Sequence, residues 1–294
     1  MDPHLLIAAR DQPQAGGICA PAVPVRHREH EYDSQTFETL ATMQRRHFWY
    51  RGRHRFLLAA VRRSLARVRP ATGRPLAAVD LGGGCGGWID YLSRAAPRLF
   101  GELALADSSL EALVRAAEVV GRDVSRFQID LLRLEWTNRW DAAFLLDVLE
   151  HIPEDVQVLQ HVRKSLRPGG LLFVTTPALA RFWTYNDDLV QHVRRYSRAD
   201  FAELARRSGL ELLDARYFMF LLSPLLYLAR RRPPDVAAMT PDAIREHLRR
   251  THRVPPAPVN ELLGLIFALE TPAGLVLRFP WGTSILGVFR KTEA

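Results

Sequence analysis

Cysteine is scarce in this chain: Cys19 and Cys85 are the two in 294 residues. Two thiols give neither a disulfide framework nor a cysteine-built metal cluster, so the expected setting is a reducing cytoplasm. No apolar run reaches the length of a bilayer span, and the N-terminus lacks a charged-then-apolar signal pattern. Charge of one sign does not dominate either: 40 basic residues stand against 32 acidic ones, for a net +8. The basic residues, mostly arginine, cluster at Arg45-Arg46, Arg62-Arg63, Arg194-Arg195, Arg230–Arg232 and Arg249-Arg250. Such clusters can meet nucleic acid, anionic membrane or a phosphorylated substrate, although solvated helix faces are the simpler account. An apolar share of 48% and a charged share of 24% are those of an ordinary globular chain. The length suffices for one large core or a core with an added cap.

What the chain does have is Val79-Asp80-Leu81-Gly82-Gly83-Gly84-Cys85-Gly86-Gly87. A short apolar strand, Leu76–Leu81, carries a carboxylate near its end and runs straight into glycines. A helical segment from Trp88 to Ala95 follows. Glycine lets the backbone turn tightly and a ligand approach closely, and the helix start supplies unpaired N–H groups. Gly82-x-Gly84-x-x-Gly87 satisfies the dinucleotide fingerprint, which alone is weak. Asp80-x-Gly82-x-Gly84-x-Gly86 is a different pattern, acidic-x-Gly-x-Gly-x-Gly. Asp80 separates the two, because a carboxylate facing the ligand repels a pyrophosphate and suits an ammonium and a sulfonium.

Residues 1–32 show no sustained periodicity and read as a disordered leader. Residues 33–70 read as two helices, one capped by Ser34 with Phe37, Leu40, Ala41 and Gln44 at helical spacing, and one from about Arg53 to Arg67. Strands and helices then alternate, which predicts a parallel sheet with helices on both faces. Six strands are expected at Leu76–Leu81, Glu102–Ala106, Phe127–Ile129, Ala142–Leu146, Leu171–Thr176 and Leu210–Tyr217, and a seventh at Ile285–Arg290. Helices are expected at Pro153–Leu166 and Arg198–Ser208, the latter capped by Ser197. Residues 71–218 and 282–292 form the core in this reading. Residues 219–281 are too many for a hairpin loop and read as a helical cap over the sheet. Within them Phe218–Ala229 reads as a strand running into the floor of a substrate pocket, the alternative being an interfacial segment beside anionic lipid with Arg230–Arg232.

Five motifs in order resemble the class I S-adenosylmethionine-dependent methyltransferases, over about residues 45 to 291. They are the Asp80–Gly86 loop, Asp107-Ser108-Ser109, Ile129-Asp130-Leu131, Leu146-Asp147-Val148-Leu149-Glu150-His151-Ile152 and Leu166-Arg167-Pro168-Gly169-Gly170. The fourth is similar to the motif after strand four in ubiquinone-pathway O-methyltransferases. His47–Arg53 and His192–Ser197 resemble a bacterial subgroup of such enzymes. The resemblance implies a Rossmann-like, seven-stranded, mostly parallel sheet and a small-molecule methyl acceptor, with secondary or lipid and isoprenoid metabolism as its setting. It implies that Asp107 with Ser108 receives the ribose hydroxyls and that Asp130 meets the adenine amino group, between apolar walls from Leu131 and Leu132. Asp80 with the carbonyls of Gly82 and Leu146 suits the donor's ammonium, beside Gly84, Gly86 and Asp147. Arg51 or Arg53 suits its carboxylate. Trp49 and Tyr50 are equally well read as core or as lid.

Methyl transfer from a sulfonium is a one-step displacement in which positioning and exclusion of water do most of the work. An oxygen acceptor also needs its proton taken. His151 is the first candidate for that base, His192 is the rival, and Tyr196 and Tyr185 stand behind them. Asp147 and Glu150 raise the question of a divalent metal, but no third clustered carboxylate is visible and none is expected. The acceptor is expected to be anionic or lipophilic, with peripheral membrane contact allowed and the oligomeric state left open. A nucleic-acid methyltransferase, favoured by the net +8, is the second reading, but nucleic acid is not expected, because Leu146–Leu149 is unlike the Asn/Asp-Pro-Pro-aromatic loop that stacks a flipped adenine. Neither a Pro-Cys nucleophile nor an appended RNA-binding motif is present. A nicotinamide dehydrogenase and a non-catalytic membrane-surface protein are the remaining alternatives.

Overall fold

The computed structural model describes residues 11–14, 17–25, 42–68, 74–229, 239–251 and 253–292. Its strands are β1 (Asp11–Gln14), β2 (Ile18–Pro21), β3 (Ala77–Leu81), β4 (Glu102–Asp107), β5 (Ser125–Gln128), β6 (Trp140–Leu146), β7 (Leu166–Pro177), β8 (Glu211–Phe218) and β9 (Ser284–Arg290). Its α-helices are α1 (Phe48–Arg67), α2 (Gly87–Ala95), α3 (Leu110–Ala116), α4 (Asp155–Ser165), α5 (Tyr185–Leu189), α6 (Arg198–Ser208), α7 (Ser223–Ala229), α8 (Pro241–Thr251) and α9 (Ala257–Val276).

The strands make one sheet in the order β1-β2-β5-β4-β3-β6-β7-β9-β8. From β2 through β7 the pairings are parallel, and β9 enters antiparallel between β7 and β8. Every residue of β3 is buried, as a central strand covered on both faces requires. Period-two alternation then divides the core. Ala78, Phe144 and Phe173 face α1, α2 and α3, while Val79, Leu145 and Val174 face α4 and α6. Helix α6 starts on a capping box between Ser197 and Asp200 and stops at Gly209 in the left-handed region.

Among the described residues the sheet has nine strands instead of the expected seven. The extra pair is the β1–β2 hairpin, which lies in the segment expected to be disordered. Its Ile18 is fully buried and pairs with Arg126 of β5, so edge pairing supplied the order that composition did not suggest. Residues 1–10, 15–16 and 26–32 of that leader lie outside the described set, as does the helix start at Ser34. Helix α1 begins at Phe48, earlier than expected, because His47 caps it by accepting from the Trp49 amide. The expected turn at Arg167–Gly170 is built into β7 as an irregularity, with Gly169 in the left-handed region.

Two expectations about the insert fail. Phe218 ends its strand and α7 takes over, with Leu225, Tyr227 and Leu228 exposed, so this stretch is not a buried floor. Helix α9 is long and apolar enough, by length and composition, to cross a membrane. It carries only Glu261 and Glu270 as charges and is interrupted by Pro272. In the structure it packs along α1. Asn260 accepts from the Phe48 amide and donates to the Arg46 carbonyl, Phe267 fills the space above Gly52, and Glu270 accepts from the Phe220 and Leu221 amides.

Candidate active site

The strand order reverses between β3 and β6, and the carboxyl ends of these two strands open a crevice where open α/β sheets place their ligands. The glycine loop leaves β3 there, and the acidic turn at Asp147 leaves β6. Gly82 and Gly86 have φ of 73° and 79°, which only glycine adopts without strain. The Gly82 amide bonds the Ala106 carbonyl, and the Gly84 amide bonds Asp107 Oδ2 at 2.8 Å. The other Asp107 oxygen accepts from the Ser109 amide at 2.8 Å, so this carboxylate ties the end of β4 to the loop. Gln44, from the short helix before α1, accepts from the Gly87 amide and covers the start of α2.

Asp80 lies beneath the loop, against Gly83, where an added Cβ would come within 2.5 Å of its Oδ2. Its Oδ1 is buried and has no hydrogen-bond partner among the described residues. Burial pushes its carboxyl up to about 7, opposed by the Arg53 guanidinium and reinforced by Asp107. Arg53 itself is buried, ion-pairs with Asp147, and has the Trp49 and Tyr50 rings 4.8 and 5.0 Å from its guanidinium carbon. Tyr50 is half-buried, and desolvation pushes its hydroxyl up to about 12. Asp147 is held at φ 60° by its amide bond to Thr175 O and by the Thr175 hydroxyl. A non-glycine residue in that region is costly and clusters at functional sites.

Arg51 and Arg53 sit on opposite faces of α1. Arg51 pairs with Glu261 of α9, whereas Arg53 pairs with Asp147 at the crevice. Asp130 caps the turn at Leu131–Arg133 by accepting from the Leu132 amide at 2.9 Å, and the Gln128 side chain at the end of β5 donates to the Ser108 carbonyl. Leu131 and Leu132 are half-buried beside it. Leu146 closes β6, 8% exposed.

Beyond Asp147 the chain brings Glu150, His151 and His192 together. The two imidazoles meet edge to face, with centroids 4.9 Å apart. Among the described residues, His151 Nδ1 and both Glu150 carboxylate oxygens are buried without hydrogen-bond partners. Burial drives His151 down to about 4, helped by His192 and opposed by a bond to the Gln191 backbone. Burial likewise holds the Glu150 carboxyl well above the usual range, with Asp147 adding to it. Each of Glu150, His151 and His192 offers a ligand atom within 4.8 Å of the others, so these three can hold a metal ion. The expectation of no metal counted carboxylates near in sequence, and folding adds the distant His192.

His192 is the better oriented imidazole. Its Nδ1 lies 2.8 Å from Asp187 Oδ1, and Arg195 clamps both Asp187 oxygens at 2.8 Å. Thr184 adds its amide and hydroxyl to the same carboxylate. Burial works against the Asp187 anion, but the His192 and Arg195 hydrogen bonds prevail and hold its carboxyl well below the usual range. Sequence reading missed Asp187 as the orienting group. The signal was present, because Thr184-x-x-Asp187 is a capping box at the start of α5.

Tyr196 drops out as a candidate base. It is 2% exposed, and its hydroxyl donates to the Leu149 carbonyl and Asp155, so burial pushes its acidity further out of range. Tyr196→Phe is expected to lower stability by about 1 kcal/mol and to leave turnover unchanged, read by urea denaturation and initial rates. Tyr185 stacks edge to face on His247 of α8, and Phe182 on Tyr227 of α7, with centroids 5.7 and 5.8 Å apart. The loop after β7 thus meets the insert close to His192.

Comparison with known proteins follows this geometry. A methyltransferase domain model matches residues 50–215, more than half of the chain. The ubiquinone biosynthesis O-methyltransferase of Xanthomonas oryzae pv. oryzae is 33% identical over 100 residues, 32% of this chain and 40% of that protein. The chain therefore matches well under half the length of that relative. The enzyme of the same name from Xanthomonas axonopodis pv. citri is 27% identical over 175 residues, 53% of this chain and 70% of that one. Among solved structures, the complex of the Haloferax volcanii Trm112 methyltransferase activator with a putative methyltransferase aligns at TM-score 0.55 and 17% identity, over 90% of this chain and 97% of that one. A putative sarcosine dimethylglycine methyltransferase from Galdieria sulphuraria aligns at 0.53 and 17%, over 81% and 85%. These two show the fold. The chain belongs to the methyltransferase domain family, and its core carries the domain that uses S-adenosylmethionine.

Proposed function

We propose that this protein transfers a methyl group from S-adenosylmethionine to an oxygen of a small, apolar acceptor, with His192 as the base. The observation that carries the reading is the Asp187–His192 pair beside the turn that follows β6. Asp187 is held anionic and can only accept, so His192 presents an Nδ1–H to it, which leaves Nε2 as the nitrogen that acts on the acceptor. That nitrogen takes the acceptor's hydroxyl proton as the oxygen attacks the methyl carbon and the carbon–sulfur bond breaks. The donor supplies an activated methyl group on a positively charged sulfur. The crevice fits it: Asp80 offers a buried unpartnered oxygen, Asp147 a fixed carboxylate, and the loop a glycine backbone that admits close approach.

Asp107→Ala is expected to weaken binding of the homocysteine product by about 1–3 kcal/mol, measured by calorimetry, because a buried acceptor at the end of β4 is lost. Unchanged affinity would place the ribose elsewhere. The acceptor class is tested by mass spectrometry of a panel of alkylated phenols, amines and carbon nucleophiles. Methylation of phenol oxygen supports the reading, and methylation confined to nitrogen removes it.

The unpartnered oxygens of Glu150 favour a second reading, in which Glu150, His151 and His192 hold a divalent ion that acidifies the acceptor hydroxyl. Activity lost on dialysis against a chelator and restored by a divalent salt selects it. Activity indifferent to chelation selects the metal-free base.

A further inference from the structure

Most of the exposed large aliphatic side chains lie on the insert. On α9, Leu262, Leu265, Leu269 and Val276 recur at helical spacing and point away from α1, with Leu269 and Val276 exposed by 66% and 74%. The opposite face of the helix, with Asn260, Gly264, Phe267 and Glu270, is the buried one. Glu270 fastens the start of α7 to this helix, which brings the exposed Leu221 and Leu225 beside it.

Three features identify the occupant of this face. First, neither carboxylate of α9 is available to oppose an anion, since Glu270 is buried and Glu261 is paired with Arg51. Second, exposed arginines stand at both ends of the helix, Arg253 before it and Arg278 after it, with Arg250 close by in sequence; Arg278 lies 3.7 Å from Asp214 and its side chain is still 68% exposed. Third, the stripe is leucine and valine, whereas protein–protein hot spots favour tryptophan, tyrosine and arginine inside the patch. An aliphatic face bounded by arginine matches the interface of an anionic bilayer. The buried ties of α9 to α1 hold it flat on the molecule, so it lies on such a surface and does not cross it.

We infer that the α7–α9 face docks on anionic lipid and that the acceptor, a lipophilic hydroxyl compound, enters from the membrane past the Phe182–Tyr227 and Tyr185–His247 contacts. The route of the acceptor rests on the function proposed above; the docking itself does not.

Co-sedimentation with phosphatidylcholine vesicles, with and without phosphatidylglycerol, tests it on the full chain. Wild type is expected to pellet with the anionic vesicles and to be released by salt. Leu265→Glu with Leu269→Glu should lower the partition coefficient at least about tenfold. Arg253→Ala with Arg278→Ala should lower it about fivefold per arginine. Unchanged affinity of these variants for S-adenosylhomocysteine shows that they are folded. Failure of wild type to bind anionic vesicles, or equal binding by the leucine variant, overturns the inference. A dimer in sedimentation velocity that the leucine changes abolish assigns the face to a second copy and overturns it as well. Vesicle binding without any binding of donor or product would sink the methyl-transfer reading and leave the docking intact.

Discussion

His192→Ala is expected to lower turnover by about two to four orders of magnitude and to leave the affinity for S-adenosylhomocysteine unchanged. The size follows from the role. His192 touches neither the glycine loop nor Asp107 in the described contacts, so donor binding survives its removal, while the acceptor's proton loses its destination. Asp187→Asn should come close to the same loss. An amide can donate as well as accept, so it no longer forces the proton onto Nδ1, and Arg195 loses its anionic partner. His151→Ala should cost far less, because burial has already driven that imidazole down to about 4. Stopped-flow or initial-rate kinetics on the three variants, with calorimetry of product binding, separates the roles. Equal losses at His151 and His192 would point to joint metal ligation instead of a single base.

Asp80→Asn is expected to stabilise the ligand-free protein above pH 7 and to weaken donor binding. The Asp80 carboxyl is pushed up to about 7 in the folded chain and titrates near 3.9 when unfolded. Between those values the folded state holds a proton that the unfolded state has released. Stability therefore falls as pH rises from about 4 to 7 and stays lowered above that. Asparagine carries no such penalty, so the variant should exceed wild type by on the order of 2–4 kcal/mol near pH 8 and match it near pH 4. Urea denaturation at both pH values reads the difference. The same substitution removes an anion placed for the donor's cationic groups, so affinity should fall while stability rises. Sites that bind charge commonly store instability in this way. A variant no more stable than wild type at pH 8 would mean that Asp80 is compensated by contacts other than Arg53.

The parts of the fold carried by local pattern were readable in the sequence. The apolar core strands, the glycine turn, and Ser197 as the cap of α6 needed only neighbouring residues. The mostly parallel sheet followed from the alternation of strands and helices, whereas the strand order, with β9 antiparallel between β7 and β8, is known from the structure alone. What depended on long-range contact was not readable. Ile18 earns its place in the sheet only by pairing with β5, across a hundred residues of chain. Arg51 and Arg53 look interchangeable until the helix turns one toward Glu261 and the other toward Asp147. His151 stands beside the motif and drew attention, whereas His192 reaches the same spot from another loop, with an orienting carboxylate from a third element. The insert was legible as helical and illegible as a surface, because one apolar helix reads alike whether its leucines face a core or a solvent boundary.

The central claim is that the loop between β3 and α2, with Asp80 and Asp107, cradles a methyl donor and not a dinucleotide. Isothermal titration of the wild-type chain with S-adenosylhomocysteine, S-adenosylmethionine and NAD tests it most directly. The expected result is one saturable site for the first two and no heat with NAD. Binding of NAD without binding of either sulfur nucleoside would contradict it.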